Sequence, residues 1–298
     1  RDLLSQPPAV VDPVAKGVDL GGRRGAGSGA GSGAHLGVGS GAAGGIPGLA
    51  LAEVTARWAP EAAAPVDLAP TTLRIAAGEH VVITGPNGVG KSTLLAVLAR
   101  ALDPVAGRYE IGGIDVRELA LADARSLVAI VDDEPHVFAS TLRENLRLAR
   151  SRDFDADSPT DGQPNGERAG DAELVAALDR AGLSTWFAGL PDGFDTMLGT
   201  GWRGVSGGER ARLALARAHI SGRPIVLLDE PVAHLDHATA VAVLRDVHIG
   251  FIGRTVVMVS HRPDGVEEFD RVIELGELAA VGADAGSGIA RHTEQSAE

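Results

Sequence analysis

An α/β fold with a central parallel sheet is predicted by three features of the 298-residue sequence. Val81-Val82-Ile83, Ile225 to Leu228 and Val256 to Val259 are continuous apolar runs, as in parallel strands covered on both faces. Helical periodicity follows: Leu94, Leu98 and Leu102 recur at i+4, and helical stretches fall near 171–181, 207–220 and 237–248. Strand-then-helix alternation marks a layered α/β fold. Leu49 to Arg57 and Thr71 to Ile75 read instead as alternating strands, which predicts a small antiparallel sheet beside the core.

Composition sets the flanks apart. Residues 21–48 hold 13 Gly interleaved with Ala and Ser, too little apolar surface to offset ordering entropy, so 1–47 reads as a flexible Gly-rich linker. A phosphate-cradling loop is the other reading of this run, but it lacks a flanking strand and helix. Residues 151–170 carry four Asp, one Glu, two Pro and three Gly, a solvated acidic loop whose spacing does not fit a calcium-binding loop. From 281 to 298 periodicity is lost, and a disordered tail is expected. The chain begins with Arg1 rather than Met and is read as a piece of a longer protein.

A net charge of -13 repels polyphosphate backbones, so no nucleic-acid partner is expected. With no Cys, disulfides, thiolate metal sites and a Cys nucleophile are excluded. No run reaches the roughly 18 apolar residues that cross a bilayer.

Three segments carry chemistry. Gly85-Pro86-Asn87-Gly88-Val89-Gly90-Lys91-Ser92 fits G-x-x-x-x-G-K-[ST] between a predicted strand and a predicted helix. Its glycines let backbone N–H groups surround a β-phosphate, Lys91 adds a full positive charge, and Ser92 can place a hydroxyl on Mg²⁺. Asp229 and Glu230 follow the Ile225 strand at the sheet edge where α/β folds bind ligands. As adjacent strand residues they point to opposite faces, Asp229 toward a metal and Glu230 toward the attacking water; a helix N-cap is the plainer alternative. Ser206 with Glu209 forms a capping box, and the intervening Gly207 and Gly208 leave N–H groups open to an anion, which predicts a second phosphate cradle. One chain has no need of two such cradles, whereas two chains facing head to tail do.

From these residues the chain resembles the nucleotide-binding domain of ATP-binding cassette transporters over about 48–280. Gly85 to Thr93 is similar to Walker A, Val205 to Glu209 to the signature, Ile225 to Glu230 to Walker B, and Ala233 to Asp236 to the D-loop. His261 matches the switch histidine, and Trp58 sits where the family stacks an aromatic on adenine. The resemblance implies a P-loop NTPase fold with a RecA-like core, an antiparallel β subdomain and a helical subdomain at about 132–215. It further implies ATP and Mg²⁺ as cofactors, ATP hydrolysis as the activity, and two ATP molecules sandwiched between one chain's Walker A and its partner's signature. Implied catalytic residues are Glu230, His261 and Lys91, with Ser92, Asp229 and Asp133 around the metal. Asp133 aligns with the family's Q-loop glutamine and departs from it in carrying a carboxylate.

Pro135 to Leu146 resembles the segment by which exporter-type cassettes contact their membrane domain, and Pro191 to Gly199 is also exporter-like. Glu209 at the end of the signature is similar to CydC-type subunits, one half of heterodimeric cysteine/glutathione (thiol-reductant) exporters linked to cytochrome bd assembly. The partners so implied are a second ATP-binding domain in a heterodimer and a transmembrane domain, at the cytoplasmic face of the plasma membrane. A soluble cassette ATPase acting on nucleic acid or ribosomes is the alternative, but its long coiled coil or second cassette is missing. A P-loop kinase or GTPase leaves the Ser206 motif unexplained.

Overall fold

The structure is a computed structural model that describes residues 45–59, 64–149, 164–199, 204–261 and 266–276. In chain order the elements are β1 (Leu49–Ala56), β2 (Leu68–Ile75), β3 (His80–Thr84), α1 (Lys91–Leu98), β4 (Ala106–Ile111), β5 (Ile114–Asp115), α2 (Leu121–Ser126), β6 (Val128–Val131), α3 (Leu142–Arg147), α4 (Pro164–Arg180), α5 (Ser184–Ala188), α6 (Gly207–Ile220), β7 (Ile225–Asp229), α7 (His237–Gly250), β8 (Thr255–Val259) and β9 (Arg271–Glu274). Two sheets result. One is antiparallel in the order β2-β1-β4-β5, the other parallel in the order β6-β7-β8-β3-β9.

The apolar runs are continuous because both faces of the parallel sheet are buried in different cores. Val81, Ile83, Ile225, Leu227, Val257 and Val259 face one core, shared with α1 and the antiparallel sheet. Val82, Val226, Leu228, Val256 and Met258 face the other, shared with α3, α4, α6 and α7. Strand side chains alternate with period two, so every residue of such a strand must be apolar.

The helical layer is tied by charge as well as packing. Arg143 of α3 pairs with Asp171 of α4, and Arg212 of α6 pairs with Asp246 of α7. Arg217 donates to the Asn145 carbonyl (2.8 Å), its Oδ1 (2.8 Å) and the His136 carbonyl (2.6 Å). Buried Asn145 in turn accepts from Phe138 N–H and donates to the Phe138 carbonyl, so one amide organises the 136–145 turn.

Element boundaries differ from expectation in three places. β2 begins at Leu68, not Thr71, because it is the sheet's edge strand and there Pro70 costs no ladder bond. The acidic loop expected to run to 170 ends sooner: Pro164 opens α4, a proline being preorganised for the first helical turn, while 150–163 lie outside the described residues. The expected linker lies outside the described residues up to 44, yet Pro47 is already anchored, its carbonyl accepting from the buried Thr255 hydroxyl at 3.0 Å. The expected tail at 281–298 also lies outside them.

His219, at the end of α6, is buried and stacked on Phe251 with centroids 4.1 Å apart. Burial, then Arg254 and Arg180, hold its pKa down to about 3 from 6.5. Below pH 6.5 the unfolded chain takes up a proton that the fold refuses, so this contribution is complete above that pH and is lost as pH falls. Between pH 6.5 and 5.5, His219→Phe should flatten the loss of stability by about 1 kcal/mol, read from urea midpoints at both pH values.

Candidate functional site

Gly85, Gly88 and Gly90 carry φ of 139°, 79° and 104°, and Gly90 ends the loop as a left-handed N-cap with no side-chain hydrogen bond. The first-turn N–H groups of α1 thus lack a side-chain acceptor, the arrangement that receives an anion. A Cβ on Gly90 would lie 2.6 Å from the Asp67 carbonyl, so only glycine fits. Lys91 is 5% exposed, and its Nζ donates to the carbonyls of Gly85 (2.8 Å) and Pro86 (2.9 Å). Burial lowers its pKa, while Glu230 and Asp229 act in the opposite direction. Those carbonyls hold the ammonium over the loop, where phosphate oxygens would compete for the same protons. Pro86, Asn87, Gly88 and Ser92 are exposed, Val89 packs against the core from inside the loop, and Thr93 is buried. Trp58, 55% exposed, donates its indole N–H to Thr93 Oγ1 at 3.3 Å, which sets the ring beside the cradle.

The second cluster forms where β7 and β8 end. Asp229 is the last residue of β7. Glu230 does not continue the pleat, as the sequence reading supposed. It has φ +44°, a left-handed conformation costing a non-glycine residue about 1 kcal/mol. Backbone reversal, not strand alternation, therefore separates the two carboxylates. The turn is held by Glu230 N–H to the Val259 carbonyl (3.1 Å) and Ala233 N–H to the Glu230 carbonyl (3.0 Å). His261 Nε2 lies 2.9 Å from Glu230 Oε1, which puts the ring hydrogen on Nε2. Asp229 has a raised pKa, from burial first and then from Glu230, Asp133 and Asp132. Excess negative charge converges here, as a divalent cation requires. Among the described residues no group of three or more His, Cys, Asp or Glu makes a closed metal cage. Mg²⁺ takes one or two carboxylates and completes its shell with phosphate and water.

The Ser206 turn stands apart. Its capping box is complete: Glu209 N–H donates to Ser206 Oγ (3.2 Å) and Ser206 N–H to Glu209 Oε2 (2.8 Å). Glu209 is thus engaged with its own turn. Gly207 faces Leu235 and Gly208 faces Thr239 and Leu235, with no left-handed φ at either. Asp133 lines a cleft with Gly207, Arg210 and His234, between the carboxylate cluster and this turn. Sequence reading missed Asp67, whose carboxylate accepts from Trp58 N–H at 2.7 Å; an acid just before a strand carries no motif.

A lysine in a glycine-bounded anion cradle beside an acidic strand end defines a P-loop nucleotide-binding protein. Residues 68–233 match the ABC transporter family, and the chain belongs to it. It is 37% identical over 204 residues to the glutathione/L-cysteine transport system ATP-binding/permease protein CydC of Escherichia coli, covering 68% of this chain and 32% of that protein. To the ABC multidrug transporter MDR1 of Cryptococcus neoformans it is 35% identical over 206 residues, covering 69% of this chain and 14% of that protein. A bacterial Atm1-family ABC exporter solved with ATP bound superposes with a TM-score of 0.63 at 30% identity, over 77% of this chain and 38% of that one. The chain thus spans 14 to 35% of the length of such curated relatives. It is the family's ATPase domain and uses ATP with Mg²⁺. Among the described residues no helix is long and apolar enough to cross a membrane.

Gly90→Ala should force the loop away from Asp67, lowering stability by about 2 kcal/mol and abolishing measurable MgATP binding, checked by urea unfolding and equilibrium dialysis.

Proposed function

We propose that this chain is the motor domain of an ABC exporter, paired with a second ATP-binding domain and joined to a transmembrane domain at the cytoplasmic face of the membrane. One observation carries the reading: the Lys91 cradle and the Ser206 turn head helices that pack into different cores of one chain, so the two do not form one site within it. A partner's Ser206 turn, laid on this chain's cradle, completes each site. In that assembly Lys91, the loop amides and Trp58 hold ATP, Ser92 and Asp229 hold Mg²⁺, and Asp133 lies toward the metal. Bound Mg²⁺ neutralises charge on the phosphates. Glu230 orients the attacking water and His261 fixes the Glu230 carboxylate.

Docking of the membrane domain is supported by exposed Ile130, Phe138 and Leu148 beside Arg217 and Arg223, which line one groove next to the 135–146 segment. The finer reading, a heterodimeric thiol-reductant exporter, draws on Glu209 in the signature and on the similarity to CydC. Cysteine- or glutathione-stimulated ATPase activity in the full-length transporter tests it. The relatives named above are transporters, so a soluble ATPase acting on nucleic acid or ribosomes is not favoured.

Turnover per chain should rise with protein concentration or on adding a partner cassette, and a high rate independent of concentration would overturn the shared-site reading. Glu230→Gln should keep MgATP affinity and lose roughly 10²–10⁴ in rate, whereas Lys91→Ala should lose binding itself.

Asp133 brings a full negative charge where a glutamine would bring a neutral carbonyl. With Mg²⁺ the charge is compensated; without it, the charge repels the triphosphate. The ratio of ATP affinities with Mg²⁺ and with EDTA should narrow in Asp133→Gln, by about threefold to thirtyfold, as measured by calorimetry.

A further inference from the structure

The Trp58 ring reaches the nucleotide cradle from a loop, not from a strand. β1 ends at Ala56, and the chain returns to β2 only at Leu68. A tryptophan on such a loop is a useful platform only if its backbone is pinned, because each free dihedral lets the ring leave the base. Trp58 is pinned at two points. Its indole N–H meets Thr93 Oγ1 at 3.3 Å, and its backbone N–H meets the Asp67 carboxylate at 2.7 Å. The second contact is the shorter and the charge-assisted one.

Asp67 is itself fixed from behind. Its N–H donates to the Ala56 carbonyl at 2.9 Å, closing the loop on the end of β1. Its carbonyl faces Gly90, where a Cβ would approach to 2.6 Å. One residue therefore touches both parts of the cradle, its side chain on the base side and its main chain against the phosphate loop. The indole remains 55% exposed, leaving surface for a base.

We propose that Asp67 is a positioning residue for the nucleotide base, acting through Trp58. The proposal rests on Trp58 being the base platform. Asp67 touches no substrate atom; it sets where the ring stands. Asn at this position keeps an acceptor oxygen and removes the charge, whereas Ala removes the contact.

The test measures binding of MgATP and of Mg-tripolyphosphate, which has the phosphates but no base, to this chain and its variants. Asp67→Ala should weaken MgATP about threefold to tenfold and leave tripolyphosphate unchanged, and Asp67→Asn should restore most of the MgATP affinity. In a Trp58→Ala background Asp67→Ala should cost nothing further, since one residue acts through the other. Equal weakening of tripolyphosphate would make Asp67 a support of the phosphate loop and overturn the proposal. Unchanged MgATP affinity in Asp67→Ala would overturn it too. Failure of the platform reading looks different: Trp58→Ala itself would then bind MgATP like the wild type.

Discussion

The constraint on which the site depends is the register of three neighbouring parallel strands. In the central sheet β3 lies beside β8 and β8 beside β7, with Ile83 opposite Val259 and Val259 opposite Asp229. All three strands run the same way and end together. Whatever follows them must emerge at one edge: the glycine loop after β3, Ser260 and His261 after β8, Glu230 after β7. Residues as far apart in sequence as Ile83 and Ser260 thereby meet, Ser260 N–H donating to the Ile83 carbonyl at 3.1 Å, without a contact evolved for each pair. The register is enforced by two-sided burial. A one-residue slip of β7 would exchange Val226 and Leu228 with Ile225 and Leu227 between two differently shaped cores, and would carry Asp229 inward.

Charge at that edge is deliberately unbalanced. Asp229, Glu230, Asp132 and Asp133 converge electrostatically, while the near cation, Lys91, is drawn back onto its own loop carbonyls. Burial first, and then repulsion from Glu230, Asp133 and Asp132, raises the pKa of Asp229. In the proposed complex the metal would meet these carboxylates and the phosphates would meet Lys91, relieving the repulsion from both sides. In a chain of net charge -13, the loop amides and Lys91 are the local groups that attract an anion.

Much of this was legible in the sequence, for identifiable reasons. Continuous apolar runs disclosed β3, β7 and β8 because burial on both faces leaves no room for polar residues. The glycine loop was legible because backbone N–H groups can surround a phosphate only where side chains are absent. β4 was not, since Ala106–Ile111 is short and opens on Ala106 and Gly107, leaving only Tyr109 and Ile111 as its buried face. Nor was the direction of Glu230, where alternation held as far as Asp229 and a positive φ then broke it. Asp67 was illegible because its part is played through the backbone of another residue, and no spacing rule encodes that.

The strained turn and the relaxed turn divide the work. Glu230 is kept at φ +44° by two backbone bonds and by His261, so the carboxylate is aimed before any ligand arrives. Preorganisation of this kind costs stability in the resting chain and reduces reorganisation during reaction. Ser206 and Glu209 satisfy each other at the head of α6, and that turn is unstrained without a ligand. A rigid half-site and a self-satisfied half-site have little reason to meet unless a nucleotide bridges them. In the proposed assembly the anion would offer the amides of Gly207 and Gly208 an acceptor that the capping box does not provide. Under the proposed pairing, association between chains would be conditional on bound nucleotide, which is the physical requirement for converting a chemical step into a movement of one domain against another.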